Sequence, residues 1–311
     1  MSETTLAATL VRSPAAAARA APPLGRLYEV EGRRLALHRA GTGQGPTVVF
    51  LPGAGLTGLD FLNVHNAVAE FATSVVYDRA GTGWSDEIAL PRSAADAAGE
   101  LRTLLTVAEI PGPYVLVGHS LGGAYARRYA QLWPDEVAGL VFLDPAHEGY
   151  QTMPRQTLLE QVKMVFAAAP KLLNMQKFYR PMFELMLAAW PGALRATLVD
   201  YHVRNWRKTL AEAKNLQTEV LDEIRQGGPL PDAPMLVLTA MGVDPFMSPF
   251  MPLPYLRLLN ERKRDMYAAF AASAPRGQNR LVKDAGHSTL HTDRPDAVAQ
   301  AIRDVVDRVR G

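Results

Sequence analysis

The chain of 311 residues has a net charge of +2, with its Lys and Arg residues scattered rather than clustered, which leaves no basic footprint for nucleic acid. Apolar residues make up 48% of it, ample for a large core, and it has no cysteine, so disulfides and cysteine-based metal sites are excluded. No stretch approaches the roughly 18 uncharged apolar residues of a membrane span.

The first 23 residues are rich in Ala and end in Ala-Ala-Pro-Pro. Arg12, Ser13 and Pro14 interrupt any apolar run that could serve as a signal peptide, so a disordered or weakly helical extension and a cytoplasmic location are expected. From Arg26 the pattern becomes strand-like. Leu27–Val30 and Leu35–Arg39, around Glu31-Gly32, read as an antiparallel hairpin. Thr47–Leu51 is a continuous apolar strand of the buried parallel kind and runs into Pro52-Gly53-Ala54-Gly55. Leu62–Phe71 reads as a helix and Ser74–Tyr77 as the next buried strand, followed by the glycine-bearing loop from Asp78 to Asp86. A helix over Ser93–Ala108 has Ser93 as its expected N-cap.

Pro111-Gly112-Pro113 then launches the apolar run Tyr114–Val117, which breaks into Gly118-His119-Ser120-Leu121-Gly122 and continues as the helical pattern Ala124–Trp133. Val137–Leu143 is another buried strand, closed by Asp144-Pro145. Strands alternating with helices imply a parallel sheet covered on both faces. The alternation stops between about Ala146 and Gly228. Helices are expected there over Leu158–Ala168, Phe183–Ala189, Leu194–Trp206 and Leu210–Arg225, separated by Pro170, Pro181 and Pro191. Their Met and aromatic content fits amphipathic faces packed on a core, and their place between two sheet strands makes the segment a candidate lid. The sheet resumes with Met235–Ala240. A loop over Met241–Pro254, a helix over Tyr255–Ala272 and a last strand over Asn279–Lys283 follow. Asp284-Ala285-Gly286-His287-Ser288 is a loop before the final amphipathic helix, Ala297–Val309.

Gly-x-Ser-x-Gly between a strand and a helix is a nucleophile elbow: a sharp turn that lifts Ser120 clear of the sheet, at a helix N-terminus that favours developing negative charge. A serine hydroxyl is a poor nucleophile unless a neighbouring base takes its proton. Of the seven histidines, His287 is best placed, in a Gly-His loop directly after the last apolar strand. His119 reads as packing of the elbow, and His147, His202 and His291 are weaker candidates. Acyl transfer needs two preorganised N–H donors, expected from Leu121, which follows the nucleophile, and from Ala54. The orienting carboxylate is either Asp144, mounted at the end of an unbroken apolar strand, or Asp244, in a proline-rich loop after the following strand.

From about Leu24 to Arg310 the chain resembles the α/β-hydrolase fold superfamily in four motifs: Pro-Gly-x-Gly at 52–55, Tyr-Asp-Arg-x-Gly-x-Gly-x-Ser-Asp at 77–86, the elbow at 118–122 and Gly-His at 286–287. The resemblance implies an α/β fold with a mostly parallel eight-stranded sheet flanked by helices and a helical cap after strand six. It divides the chain into an extension (1–23), a core (24–145 and 229–311) and a cap (146–228). It implies a structural role for Asp78 and Arg79, as an ion pair or turn cap. The activity it implies is cleavage of carboxylic esters, thioesters or lactones of small, moderately apolar acyl substrates through an acyl-enzyme, with neither cofactor nor metal. Aminopeptidase, amidase or acyltransferase activity and a slow ligand receptor are the alternatives. An aminopeptidase would need acidic residues in the cap region, where Glu148, Glu160 and Glu184 are available.

Overall fold

The computed structural model describes residues 21–41, 43, 45–152 and 174–311. Most of the expected N-terminal extension and the helix expected over Leu158–Ala168 lie outside the described residues.

Eight strands, β1 (Arg26–Val30), β2 (Arg33–Ala40), β3 (Thr47–Leu51), β4 (Thr73–Tyr77), β5 (Tyr114–His119), β6 (Val137–Leu143), β7 (Met235–Ala240) and β8 (Gly277–Val282), form one sheet in the order β1-β2-β4-β3-β5-β6-β7-β8. The β1–β2 hairpin and the β2–β4 pair are antiparallel, and every other pairing is parallel. Every residue of β3, β4 and β5 is buried, which is why these segments read as unbroken apolar runs rather than as alternating ones.

Alternate residues supply two cores. Leu116 and Phe142 face α2 (Ala94–Val107) and α3 (Leu121–Leu132) on one side, in a cluster with Leu101, Leu104, Tyr125 and Tyr129. Val115, Val117, Val141 and Leu143 face the other side, with Val64 and Val68 of α1 (Leu62–Ala69) and Ile302 and Val305 of α9 (Pro295–Arg310). Ser93 caps α2 as its sequence requires, its Oγ accepting the N–H of Asp96 at 3.0 Å.

Between β6 and β7 the chain is a helical insertion, whose described helices are α4 (Met175–Met186), α5 (Gly192–Glu212) and α6 (Leu221–Gln226). Two expectations need correcting. Pro181 lies inside α4 instead of separating two helices, and the helix expected over Leu210–Arg225 is divided. Its first residues belong to α5, and a π-helical turn over Leu216–Val220 leads into α6. At Pro181 the helix continues through the local breaker signal. α7 (Leu253–Ala272), α8 (Leu290–Asp293) and α9 complete the chain. Among the described residues no helix is long and apolar enough to cross a membrane.

The register brings the carboxyl ends of β5 and β6 side by side, with His119 opposite Leu143, so the residues that follow, Ser120 and Asp144, leave the sheet at one edge. Both have left-handed backbones, with φ of 51° and 47°, a conformation that costs a non-glycine residue stability and recurs at functional sites. The start of α3 can lie against the end of β3 only because Gly122 has no side chain. A Cβ there would sit 2.0 Å from the carbonyl oxygen of Leu51 and 2.4 Å from that of Pro52. Gly122→Ala is therefore expected to lose at least the ~1–3 kcal/mol typical of overpacking in urea unfolding; wild-type stability would mean that the strand and helix do not pack this closely.

Candidate active site

The side chains of Ser120, His287 and Asp144 stand in line. The Oγ of Ser120 lies 3.0 Å from Nε2 of His287, and Nδ1 of the same ring lies 2.7 Å from Oδ2 of Asp144. A carboxylate only accepts, so Nδ1 carries the proton toward Asp144, which leaves Nε2 of the neutral ring free to accept from the serine hydroxyl.

Three elements hold Asp144, which is completely buried. Oδ2 also accepts from Nζ of Lys263 on α7 at 2.9 Å, and Oδ1 accepts the N–H of Ala240 at the end of β7 at 2.9 Å. Burial alone would push this carboxyl up, but the Lys263 ammonium and the His287 hydrogen bond outweigh it and hold it at about 2. Asp144 is thus ionised throughout the neutral and mildly acidic range.

The other candidate carboxylate, Asp244, makes no hydrogen bond to the imidazole. Its Oδ1 accepts the N–H groups of Phe246 and Met247 at 2.8 and 2.9 Å, and its Oδ2 accepts the N–H of Ser288. It caps its own turn and ties that turn to the residue after His287. Gly286 permits the approach, since a Cβ there would lie 2.8 Å from the Cα of Asp244. His119 braces the same loop: its Nε2–H donates to the carbonyl of His287 at 2.8 Å, and burial, with His287 adding to it, pushes its own titration down to about 4. Among the other histidines, His202 of α5 bonds Asp60 at 2.8 Å, His291 is buried against Phe61 with ring centroids 4.2 Å apart, and His147 accepts the N–H of Gly149.

The turn after β3 is held from two sides. Arg79 donates from its two terminal nitrogens to the carbonyls of Pro52 and Gly53, at 2.6 and 2.9 Å. Its Nε pairs at 2.8 Å with Glu212 of α5, whose other oxygen accepts the N–H of Gly55 at 2.7 Å. The N–H of Ala54, between these anchored groups, has no acceptor among the described residues. It lines the cavity beside Ser120. Asp78 and Arg79 do not pair with each other. Asp78 instead accepts the N–H groups of Gly58 and Trp84, at 2.8 and 2.9 Å. Sequence reading missed both Glu212, at the C-terminal end of α5, and Lys263, in the middle of α7, because each lies far along the chain with no motif to single it out.

Two cavities meet at Ser120 and His287. One, of about 220 Å³, is walled by Met175, Phe183, Met186, Trp206 and Leu210 of the insertion together with Ala54. The other, of about 310 Å³, lies on the Asp144 side and includes Tyr150, Gln217, Asn260 and Lys263. Among the described residues, neither Glu148, which is bound by Arg127 at 2.7 Å, nor Glu184, which is exposed on α4, lines either cavity, and Glu160 lies outside the described residues.

A model of the alpha/beta hydrolase family matches residues 48–301, and the chain belongs to that family. A pimeloyl-[acyl-carrier protein] methyl ester esterase of Chromobacterium violaceum is 41% identical over 101 residues, which is 32% of this chain and 37% of that protein. The chain spans between 13% and 43% of the length of the curated relatives it matches. Among solved structures, an esterase from Exiguobacterium antarcticum superposes with a TM-score of 0.64 at 15% identity, over 93% of this chain and all of that one. A structure described as an N-acyl homoserine lactone degrading enzyme gives 0.59 at 19% identity, over 90% of this chain and all of that one. At these identities the structures speak for the fold alone.

Because Arg79 and Glu212 are both about 97% buried, removing one leaves the other as an unpaired interior charge. Glu212→Ala is expected to cost ~3–5 kcal/mol in urea unfolding, the range for breaking a buried ion pair; a loss below about 1 kcal/mol would mean that α5 does not depend on this pair.

Proposed function

We propose that the protein is a serine hydrolase that cleaves carboxylic esters, thioesters or lactones with a moderately apolar acyl part through an acyl-enzyme on Ser120. The observation that carries this reading is the continuous hydrogen-bond line from Asp144 through His287 to Ser120, on a strained turn at the helix N-terminus. In this mechanism Nε2 of His287 takes the hydroxyl proton while Oγ of Ser120 attacks the carbonyl carbon. The N–H groups of Ala54 and Leu121 receive the oxyanion, and Asp144 holds the ring in the required tautomer and balances the imidazolium. When the tetrahedral centre collapses, the proton on Nε2 goes to the departing oxygen or sulfur. A water activated by the same nitrogen then releases the acid.

The apolar wall of the smaller cavity supports an apolar acyl part. The methyl ester esterase among the similar proteins is named for the same bond class. In this reading residues 146–228 act as the cap. Because Glu212 lies within that segment and holds Gly55, the cap shapes the oxyanion turn as well as the pocket.

Ser120→Ala and Asp144→Asn should each reduce turnover of a short p-nitrophenyl ester by about four orders of magnitude in folded protein, the second by favouring the wrong imidazole tautomer. Asp244→Asn should stay within roughly tenfold of wild type, because its bonds go to backbone N–H groups. A folded Ser120→Ala protein with near-normal esterase activity would refute the reading. Loss of activity on acidification should follow a single protonation, that of the base, since Asp144 stays charged down to about 2. A flat profile between about pH 5 and 9 would contradict His287 as the base.

A further inference from the structure

The proposed mechanism leaves one buried charge unused. Lys263 is only 5% exposed, on the inner face of α7, and its ammonium ends on the same carboxylate oxygen that accepts from His287. Packing does not require a lysine there. A buried ion pair returns little net stability compared with well-fitted apolar side chains, and Lys gives up both hydration and rotamer freedom on burial. Nor does Asp144 lack partners without it, since the N–H of Ala240 and the imidazole already occupy both its oxygens. What Lys263 adds is a positive charge within two hydrogen bonds of the ring that must accept a proton.

We propose that Lys263 is a positioning residue that acts through the shared Oδ2 of Asp144 to lower the pH at which His287 becomes protonated. The inference rests on the serine-hydrolase reading of Ser120, His287 and Asp144 given above. Asp144 attracts a proton onto His287, and Lys263 opposes that attraction from the other side of the same carboxylate. The imidazole therefore remains an acceptor for the serine proton at more acidic pH than it would beside an Asp144 held by neutral donors alone.

The surrounding groups leave this balance to Asp144 and Lys263. His119, whose ring centroid is 5.2 Å from that of His287, is kept neutral by burial, and His291 behind it is pushed far down for the same reason. Tyr150 and Tyr267, which bond each other beside Asp144, are pushed well up by burial and stay uncharged. Asp244 faces the N–H of Ser288 from the loop after β7. His147 lines the Lys263 cavity, and burial drives it to about 4 despite the neighbouring Glu148.

The test is the pH dependence of the rate at which a small fluorophosphonate labels Ser120, compared for the wild type, Lys263→Met, Lys263→Gln and Lys263→Arg. A unit charge at this range moves a neighbour's titration by about one pH unit. Removing it should raise the midpoint of the labelling profile by about that much in both the Met and the Gln variant, while Lys263→Arg, which keeps the charge, stays close to the wild type. The Gln variant retains a donor for Oδ2, so it separates loss of charge from loss of the bond. A midpoint that does not move in the Gln variant, with labelling lowered equally at all pH values, would make Lys263 a structural residue and overturn the inference. So would failure of both charge-free variants to fold. Absence of labelling at Ser120 in the wild type is a different outcome: it would refute the serine-hydrolase reading itself.

Discussion

A carboxylate with no exposure to water is the constraint on which the rest of the site depends. Asp144 is wholly buried at the end of β6, where an ionised group survives only if its oxygens meet donors. The sheet provides the N–H of Ala240, α7 provides Lys263 and the loop after β8 provides His287, so three parts of the chain converge on this one charge. The parallel register achieves the convergence. It places the ends of β5, β6 and β7 at one edge, and the two left-handed residues there, Ser120 and Asp144, turn their side chains toward the same histidine. The backbone strain at these two positions is supported by the cores on both faces of the sheet.

A second buried charge couples the insertion to this edge. Arg79 and Glu212 fix the turn after β3 from opposite sides, one through carbonyls and the other through an amide hydrogen. α5 and the residues leading into it reach the core at three further points: Trp190 to the carbonyl of Leu59, His202 to Asp60, and the Tyr201 hydroxyl to the N–H of Gly83, each at 2.8 Å. The helices that wall the apolar cavity are therefore anchored to the elements that place Ala54. A shift of α5 would alter the shape of the pocket and the turn after β3 together, which couples the two more closely than a separately hinged lid would.

The fold was legible because its signals are local. Thr47–Leu51 and Val137–Leu143 read as buried parallel strands from their own residues, and the structure gives them those same bounds. The strand–elbow–helix at 114–132 needed only the glycines at 118 and 122 and the change of period. Within the insertion the local signals mislead. Pro181 suggested a boundary yet sits inside α4, and Leu210 belongs to α5 rather than to the next helix. The positions of Ser120 and His287 followed from motifs, but Asp144, at the end of β6, and Asp244, in the loop after β7, each precede a proline, and only the structure shows where each carboxylate points. Lys263 and Glu212 carry no signal in the sequence. Each is one charged residue on an amphipathic helix, and only the packing of that helix shows its charge turned inward.

The central claim is that this arrangement makes Ser120 a nucleophile that carries the acyl group during turnover. The most direct measurement is mass spectrometry of the protein quenched in acid within the first turnover of a p-nitrophenyl ester. The account predicts that the acyl mass appears on the peptide containing Ser120 and disappears as hydrolysis proceeds. Turnover with no acyl group on that peptide, or with the group on another residue, would contradict it.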